Sequence, residues 1–170
     1  MVLNWYVFYT FHKSEKAIKQ ELEKVNFEVC LPLQKVTRQW KDRKKEIEIP
    51  LFPNYIFVKT LKAQVYHILN YPKIVKYVAF DGRPATLREE EIDFIRSAGK
   101  CGNIYLSHLK KGDKIRLTSG ILRGYEGVLV ECDGKKRFGL LLKEINQMIF
   151  VDLNDTKFEK LTMLVHNLKS

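Results

Sequence analysis

The chemistry that this sequence could carry is concentrated in a basic stretch from Lys35 to Lys45. Lysine and arginine side chains bind phosphate groups, and they do so without reading the base sequence. A tryptophan ring in the same stretch could stack on an unpaired base. The pattern predicts a nucleic-acid contact, with a solvated charged loop as the alternative. The residues of this candidate contact are Arg38, Trp40, Lys41, Arg43, Lys44 and Lys45.

The residue types that carry out catalysis or bind metals lack informative spacing. No histidine has an acid or a cysteine at the spacing of a catalytic pair; the histidines are His12, His67, His108 and His166. Cys30, Cys101 and Cys132 are odd in number and far apart, which favours neither a metal site nor a disulfide framework. We therefore expect a binding protein without enzymatic activity, cofactor or metal, in the reducing cytoplasm.

The composition bounds the class of partner. A net charge of +10 on 170 residues favours encounters with polyanions such as nucleic acid or an acidic protein face. Hydrophobic residues make up 45% of the chain, which is sufficient for a packed core. No apolar run approaches the roughly 20 residues that span a bilayer, and the apolar segment 4–11 is interpreted as a strand. We expect a monomer without membrane contact; the alternative is a basic protein with no polyanionic partner.

Strands and helices alternate in the first half of the chain. A strand at 5–11 precedes a helix that Ser14 is predicted to cap. Glu15 and Lys19 are spaced to pair on the solvent side of this helix. Its buried stripe is predicted at Ile18, Leu22 and Val25.

The basic stretch is predicted to be the tip of a hairpin that extends from this α/β domain. The strand that follows, at 55–58, is apolar on both faces and is therefore expected in the centre of a sheet. A last helix is predicted to open with a capping box of Thr86 and Glu89 and to end at Gly99. Its inner edge is predicted to be the stripe of Ile92, Ile95 and Ala98.

The second half of the chain has a different texture. Residues 100–109 show no periodicity and are predicted to be a linker between a domain at 1–99 and one at 110–170. Glycines then punctuate short strands, a pattern typical of a small β-barrel. The strands are predicted at 114–118, 127–131, 138–142 and 148–153. The fold class is therefore α+β, with an α/β domain before a nearly all-β domain.

The start of the second half resembles the KOW motif of SH3-like β-barrels. The resemblance is carried by the segment GDKIRLTSG at 112–120 and by GYEGV at 124–128. In this interpretation Gly127 lets its strand bend close to the first strand of the barrel, at 114–118. Glycine inside a helix costs about 1 kcal/mol relative to alanine, so the glycines also argue against a helical hairpin in this segment.

Three segments of the first half resemble the N-terminal domain of the NusG family. They are Trp5-Tyr6-Val7, Phe52-Pro53-Asn54-Tyr55-Ile56-Phe57-Val58 and Gly82-Arg83-Pro84-Ala85, and their order and spacing match the family. The resemblance implies a sandwich of an antiparallel sheet and flanking helices, followed by an SH3-like barrel. It also implies a transcription elongation factor or antiterminator that binds RNA polymerase and suppresses pausing or termination. Asn54, where general members carry glycine, is similar to RfaH and UpxY-like paralogues and implies action at a subset of operons.

The resemblance further implies an apolar depression that docks on the clamp helices of the polymerase. The matching positions are Tyr9, Phe52, Tyr55, Phe57 and Phe80. Because side chains alternate along a strand, Tyr55 and Phe57 share one face while Ile56 and Val58 share the other. One of these faces must be core, so the rings could instead be buried packing residues.

Two further contacts follow from the resemblance. Family members use barrel loops to bind Rho or a small-subunit ribosomal protein. The candidates here are Ile121 and Leu122, in a loop where apolar residues have no core duty, and Ile145 in a neighbouring loop, with ordinary barrel capping as the alternative. The basic hairpin would meet DNA of the transcription bubble or nascent RNA. Two other functions stay open at this point: a general housekeeping NusG, and a ribosome-associated KOW protein that binds RNA.

Overall fold

The computed structural model describes residues 2–101, 104–107 and 112–161. The helices are α1 (Glu15–Lys24), α2 (Val65–Ile68) and α3 (Glu89–Cys101). The strands of the first half are β1 (Leu3–Thr10), β2 (Glu28–Cys30), β3 (Leu33–Gln39), β4 (Lys44–Pro50), β5 (Tyr55–Leu61), β6 (Ile74–Tyr77), β7 (Ala79–Phe80), β8 (Arg83–Pro84) and β9 (Thr86–Leu87). The strands of the second half are β10 (Ile104–Ser107), β11 (Asp113–Leu117), β12 (Glu126–Cys132), β13 (Lys135–Leu142), β14 (Gln147–Asp152) and β15 (Phe158–Lys160).

The N-terminal sheet is antiparallel and is built around β1 and β5. Its strand order is β2-β5-β1-β6, and β9 also pairs with β1. The β1–β5 register runs from Leu3 opposite Leu61 to Tyr9 opposite Tyr55. Aromatic and β-branched residues dominate both strands, and such residues pack well on a pleated surface. The predicted central position of β5 is confirmed, since β2 pairs with its other edge.

Each face of this sheet is covered by helices. On one face Tyr6, Phe8, Ile56 and Val58 pack with apolar residues of α1 and α2. On the other face the packing partners are residues of α3, and the buried strand residues there include Trp5, Val7 and Phe57. None of the described helices has the length and apolar character needed to cross a membrane.

The start of α1 differs from the prediction in its side-chain contacts. Ser14 occupies the N-cap position, but its side chain makes no capping hydrogen bond. The expected surface pair of Glu15 and Lys19 is wrong, because Glu15 is buried and its Oε1 accepts a hydrogen bond from the backbone N–H of Asn54 at 2.7 Å. Lys19 instead lies 3.5 Å from Glu23, one turn further along the helix. The carboxylate that periodicity assigned to the surface therefore ties α1 to the turn before β5.

The cap of α3 also differs from the predicted Thr86–Glu89 box. Thr86 lies in β9, and it is the buried carboxylate of Glu91 that accepts a hydrogen bond from the Arg88 backbone N–H at 2.8 Å. Glu89 forms an ion pair with Lys59 at 2.9 Å and accepts a hydrogen bond from Trp5 Nε1 at 2.9 Å. Both contacts lower the pKa of Glu89, the one with Lys59 more strongly. The bond between a carboxylate and the backbone N–H at the helix start is thus made two residues later, and Glu89 instead holds the helix against the sheet.

The predicted linker contains ordered elements. The helix does not end at Gly99 but continues to Cys101, and Ile104–Ser107 forms β10, which pairs with β14. The remaining residues of the predicted linker lie outside the described part of the chain. The division at 99 and 110 stays a prediction.

The basic stretch forms the predicted hairpin. Strands β3 and β4 make a separate two-stranded sheet, in register from Leu33 opposite Pro50 to Gln39 opposite Lys44. A backbone hydrogen bond from Trp40 N to Arg43 O, at 2.9 Å, closes its turn. The hairpin is tied to α1 at one point, where Lys16 Nζ donates to the backbone oxygen of Glu48 at 2.9 Å.

The second half is an antiparallel six-stranded sheet. Its strand order is β10-β14-β13-β12-β11-β15, and the four predicted strands correspond to β11, β12, β13 and β14. The predicted α+β organisation is confirmed, since the described α-helices all belong to the first half of the chain.

The two halves share one apolar cluster. Phe94 of α3 is fully buried, and its ring centroid lies 5.0 Å from that of Tyr125 and 5.8 Å from that of Phe138. The cluster runs from Trp5 and Phe57 in the first sheet to Ile115 and Phe138 in the second. The second sheet therefore packs on α3.

Gly127 is required by a close approach, as predicted, although the neighbour is different. A Cβ at this position would lie 2.6 Å from a ring carbon of Phe138 and would also meet the backbone oxygen of Gly139, on β13. Gly134, in the turn between β12 and β13, has a φ of +70° and open space around its Cα.

We expect Gly127→Ala to destabilise the second sheet by about 2 kcal/mol or more, because backbone and a core ring would have to move. Gly134→Ala, the matched control, should cost about 1 kcal/mol through its left-handed backbone alone. Urea unfolding of the two variants measures the difference. Equal losses would contradict the packing described for Gly127.

Candidate docking and nucleic-acid surfaces

Two tyrosines form a half-buried aromatic pair at the end of the first sheet. Tyr9 of β1 and Tyr55 of β5 stand directly opposite one another, with ring centroids 5.3 Å apart and planes at 90°. The pKa of Tyr55 is raised mainly by burial of its ring and to a smaller extent by the neighbouring Tyr9. The Tyr55 hydroxyl is therefore neutral, and the half-buried pair presents an amphipathic edge to solvent, which suits a protein interface.

Asn54 fixes the position of this pair. Its φ of +68° is left-handed, a conformation that asparagine tolerates better than other non-glycine residues. Its Nδ2 donates to the hydroxyl of Tyr9 at 3.3 Å, and its backbone oxygen accepts from Thr10 N at 2.7 Å. Together with the bond from its backbone N–H to Glu15, these contacts join the turn to both β1 and α1.

The five predicted docking residues occupy three different environments. Phe52 and Phe57 are 1% and 0% exposed, and their rings pack edge to face with centroids 5.4 Å apart. These two rings are therefore buried packing residues, which was the alternative to a docking role. Tyr9 and Tyr55 are half-buried. Phe80 is 42% exposed at the end of β7, beside the 3-10 turn Lys143–Ile145 of the second sheet. The structure thus pairs the two tyrosines with each other and the two phenylalanines with each other, and Tyr55 packs on the cluster that contains the phenylalanines. Phe80 lies on β7, beside the second sheet.

The hairpin tip is a dense and unneutralised cationic surface. All six predicted residues are exposed there, and Trp40 is 59% exposed. No carboxylate within the described ranges forms an ion pair with any of its cations. Arg38 stands directly opposite Lys45 in the ladder, and like charges in that position are destabilising. An anion bound at the tip would relieve this repulsion.

The candidate residues of the second sheet separate into one exposed and two buried side chains. Ile121 is 59% exposed at the mouth of a small cavity of about 150 Å³. Leu122 and Ile145 are buried in the shared apolar cluster. The expectation that Leu122 has no core duty is therefore wrong, and Ile145 lies in a 3-10 turn instead of an open loop.

Three functional features had weak or no sequence signals. Phe94 lies outside the predicted Ile92–Ile95–Ala98 stripe. The only sign of its burial in the sequence was that it is an apolar residue on a second face of α3. The bond between Glu15 and Asn54 joins residues far apart in sequence, which no local pattern reveals. A cavity at the base of the hairpin, beside Arg96, is also formed only by the tertiary fold.

The described residues contain no group of three or more histidine, cysteine, aspartate or glutamate side chains that could hold a metal ion. The described residues instead provide three candidate binding surfaces: an amphipathic aromatic pair, a cationic hairpin tip and an exposed apolar residue beside a cavity.

The chain is similar to known proteins in sequence and in fold. The family model described as "Transcription termination factor nusG" matches residues 3–96. The transcription termination/antitermination protein NusG of Streptococcus pyogenes serotype M1 is 29% identical over 147 residues, which are 78% of this chain and 82% of that protein. The protein of the same name from Helicobacter pylori strain J99 is 23% identical over 154 residues, covering 80% of this chain and 85% of that protein.

A solved structure shares the fold of both halves. The structure titled "Domain interaction in Thermotoga maritima NusG" aligns with a TM-score of 0.58 and 19% identity, over 95% of this chain and 99% of that one. The family model covers more than half of the chain, and the two relatives extend the similarity beyond it. The chain therefore belongs to the NusG family of transcription termination/antitermination factors, which are not enzymes.

Proposed function

We propose that this chain binds the clamp helices of RNA polymerase in the cytoplasm and suppresses pausing or termination at a subset of operons. The observation that carries the proposal is the Tyr9–Tyr55 pair, half-buried over an apolar cluster and held in place by Asn54. A rigid aromatic surface at a sheet end suits an apolar helix face, since aromatic rings bury much area at low cost in conformational entropy.

The docking surface has two layers in this proposal. Tyr9, Tyr55 and Phe80 touch the partner, because they are the members of the predicted set with exposed ring surface. Phe52 and Phe57 belong to the buried cluster against which Tyr55 packs, and in this proposal they keep that ring in position. A substitution of a buried ring therefore reports on folding, whereas a substitution of an outer ring reports on docking.

Action at a subset of operons is supported by Asn54. Its side chain bonds Tyr9, a contact that a glycine at this position could not make. General action, as in a housekeeping NusG, is the alternative. Mapping of polymerase-bound positions across the genome separates the two, because a dedicated factor occupies few transcribed genes and a general factor most of them.

The strands from β11 onward are proposed to close as an SH3-like KOW barrel and to form a separate domain at 110–170, to which β10 adds an edge strand. Its partner would be Rho or a small-subunit ribosomal protein, bound around Ile121 and the adjacent cavity. Leu122 and Ile145, buried beneath, would support that surface.

The hairpin tip is proposed to contact DNA of the transcription bubble, or nascent RNA, through phosphates and Trp40. The exposed cations lack carboxylate partners among the described residues, and Arg38 and Lys45 repel one another. A family member that docks on polymerase through its first sheet would hold this hairpin close to nucleic acid.

We expect Tyr55→Ala and Phe80→Ala each to weaken binding to purified core polymerase by about ten-fold, because each removes aromatic contact area, while the fold is retained. Pull-down or anisotropy with enzyme free of nucleic acid measures the effect. Tyr66→Ala is the matched control, since Tyr66 is 63% exposed and packs on Tyr77 at the opposite face of the sheet. Parent-like affinity of both docking variants would refute the proposed docking surface.

We expect the triple variant Arg43→Gln, Lys44→Gln, Lys45→Gln to bind nucleic acid more weakly and with a shallower salt dependence. Each lost phosphate contact reduces the slope of log K against log salt by about 0.9 for duplex DNA. The control removes three exposed cations from the second sheet: Lys135→Gln, Lys136→Gln, Lys157→Gln. If both triple variants lose the same affinity, only net charge matters and the hairpin has no special role.

A further inference from the structure

A cleft of about 340 Å³ lies at the base of the β3–β4 hairpin, and neither the docking surface nor the hairpin tip includes it. Its walls come from the segment between β2 and β3 and from α1 and α3. Val29, Pro32 and Leu33 supply apolar wall. Helix α3 approaches this wall so closely that a Cβ on Gly99 would lie 3.3 Å from the backbone oxygen of Leu33. The shape of the cleft is therefore fixed by the close packing of α3 against the start of β3.

Cationic side chains from two helices border this cleft. Lys19 comes from α1, while Arg96 and Lys100 lie one turn apart on α3. Arg96 is oriented by Glu28 at 3.1 Å and Asp93 at 3.5 Å. Lys100 is exposed and pairs with no carboxylate among residues 2–101, 104–107 and 112–161. Part of the positive charge at the cleft is thus available to an outside anion.

The floor of the cleft includes the uncharged thiol of Cys30, which lies in the positive field of Arg96 and Lys19. Burial raises the pKa of the Cys30 thiol to about 11, so the thiol is protonated at neutral pH. Arg96 and Lys19 act in the opposite direction on this pKa, and both outweigh the nearby carboxylate of Glu28. An anion entering the cleft therefore meets cations first, and apolar walls there reduce the screening of each contact.

The cleft lies where the hairpin begins. Leu33 is both a wall of the cleft and the first residue of β3, and Arg38 at the tip follows five residues later. At about 3.3 Å per residue, β3 carries Arg38 about 17 Å from this wall of the cleft. One turn of duplex DNA rises about 34 Å, so this separation is about half a turn.

We propose that the cleft holds a backbone phosphate of the same DNA duplex whose phosphates the hairpin tip contacts. This proposal rests on the nucleic-acid role proposed above for the hairpin. Lys19 and Lys100 donate to the phosphate oxygens from opposite walls, and the oriented Arg96 adds its charge. Contacts at both ends of the hairpin align it along the duplex, whereas contacts at the tip alone would leave its angle free.

The test is the affinity of the full chain for a duplex of about 20 base pairs, measured by fluorescence anisotropy over a salt series. The variant is Lys19→Gln with Lys100→Gln, and the matched control is Lys135→Gln with Lys157→Gln, which removes the same charge from exposed positions of the second sheet. The cleft variant should bind roughly ten-fold more weakly at about 0.1 M salt, with a slope shallower by about 1.8 for two lost contacts. The control pair should stay within two-fold of the parent.

Two outcomes overturn the cleft proposal, and they differ in what they imply for the hairpin. If the hairpin triple variant weakens binding and the cleft variant matches its control, the cleft proposal alone fails. If neither differs from its control, the DNA role of the hairpin fails with it. A local readout is the backbone amide of Gly99, which should shift in NMR spectra when duplex is added. An equal shift with millimolar inorganic phosphate, combined with unchanged duplex affinity of the cleft variant, would assign the cleft to a free anion and refute the proposal.

Discussion

Both faces of the β1–β5 strand pair are apolar, and this constraint decides where the chain can expose functional side chains. Tyr6 and Phe8 point to the face that α1 and α2 cover, while Trp5 and Val7 point to the face that α3 covers. A sheet buried on both sides has no free face for a partner. Functional side chains must then lie at strand ends, where Tyr9 and Tyr55 are found, or on elements that leave the sheet, such as the hairpin.

Trp5 shows how the covering helix is held. Its indole N–H donates to Glu89 at the start of α3, and Arg96, two turns later, lies over its ring at 5.1 Å. The same ring therefore contacts α3 at its first residue and again two turns later. Because Arg96 also borders the cleft at the hairpin base, the contact that fixes α3 on the sheet also fixes a cation of the proposed phosphate site.

Sequence patterns predicted the elements well and their tertiary contacts poorly. Alternation and turn residues predicted the hairpin, the central β5 strand and the strands β11 to β14, because these depend on neighbours in sequence. The same patterns assigned Glu15 to the surface and Leu122 to a loop without core duty. Both errors have one origin: Asn54 and the shared apolar cluster reach these side chains from distant parts of the chain.

The shared cluster bears on the aromatic pair as well. Phe94 continues the packing of the first sheet into Tyr125 and Phe138, and Tyr55 packs against the same cluster from its edge. Phe80 lies beside the turn that contains Ile145, so the two halves meet next to the proposed docking surface. Arg88 and Glu144 attract one another across that junction. A partner that inserts an apolar helix at Tyr55 must therefore compete with, or accommodate, the second sheet, since a packed core cannot take up additional volume without moving one of its members.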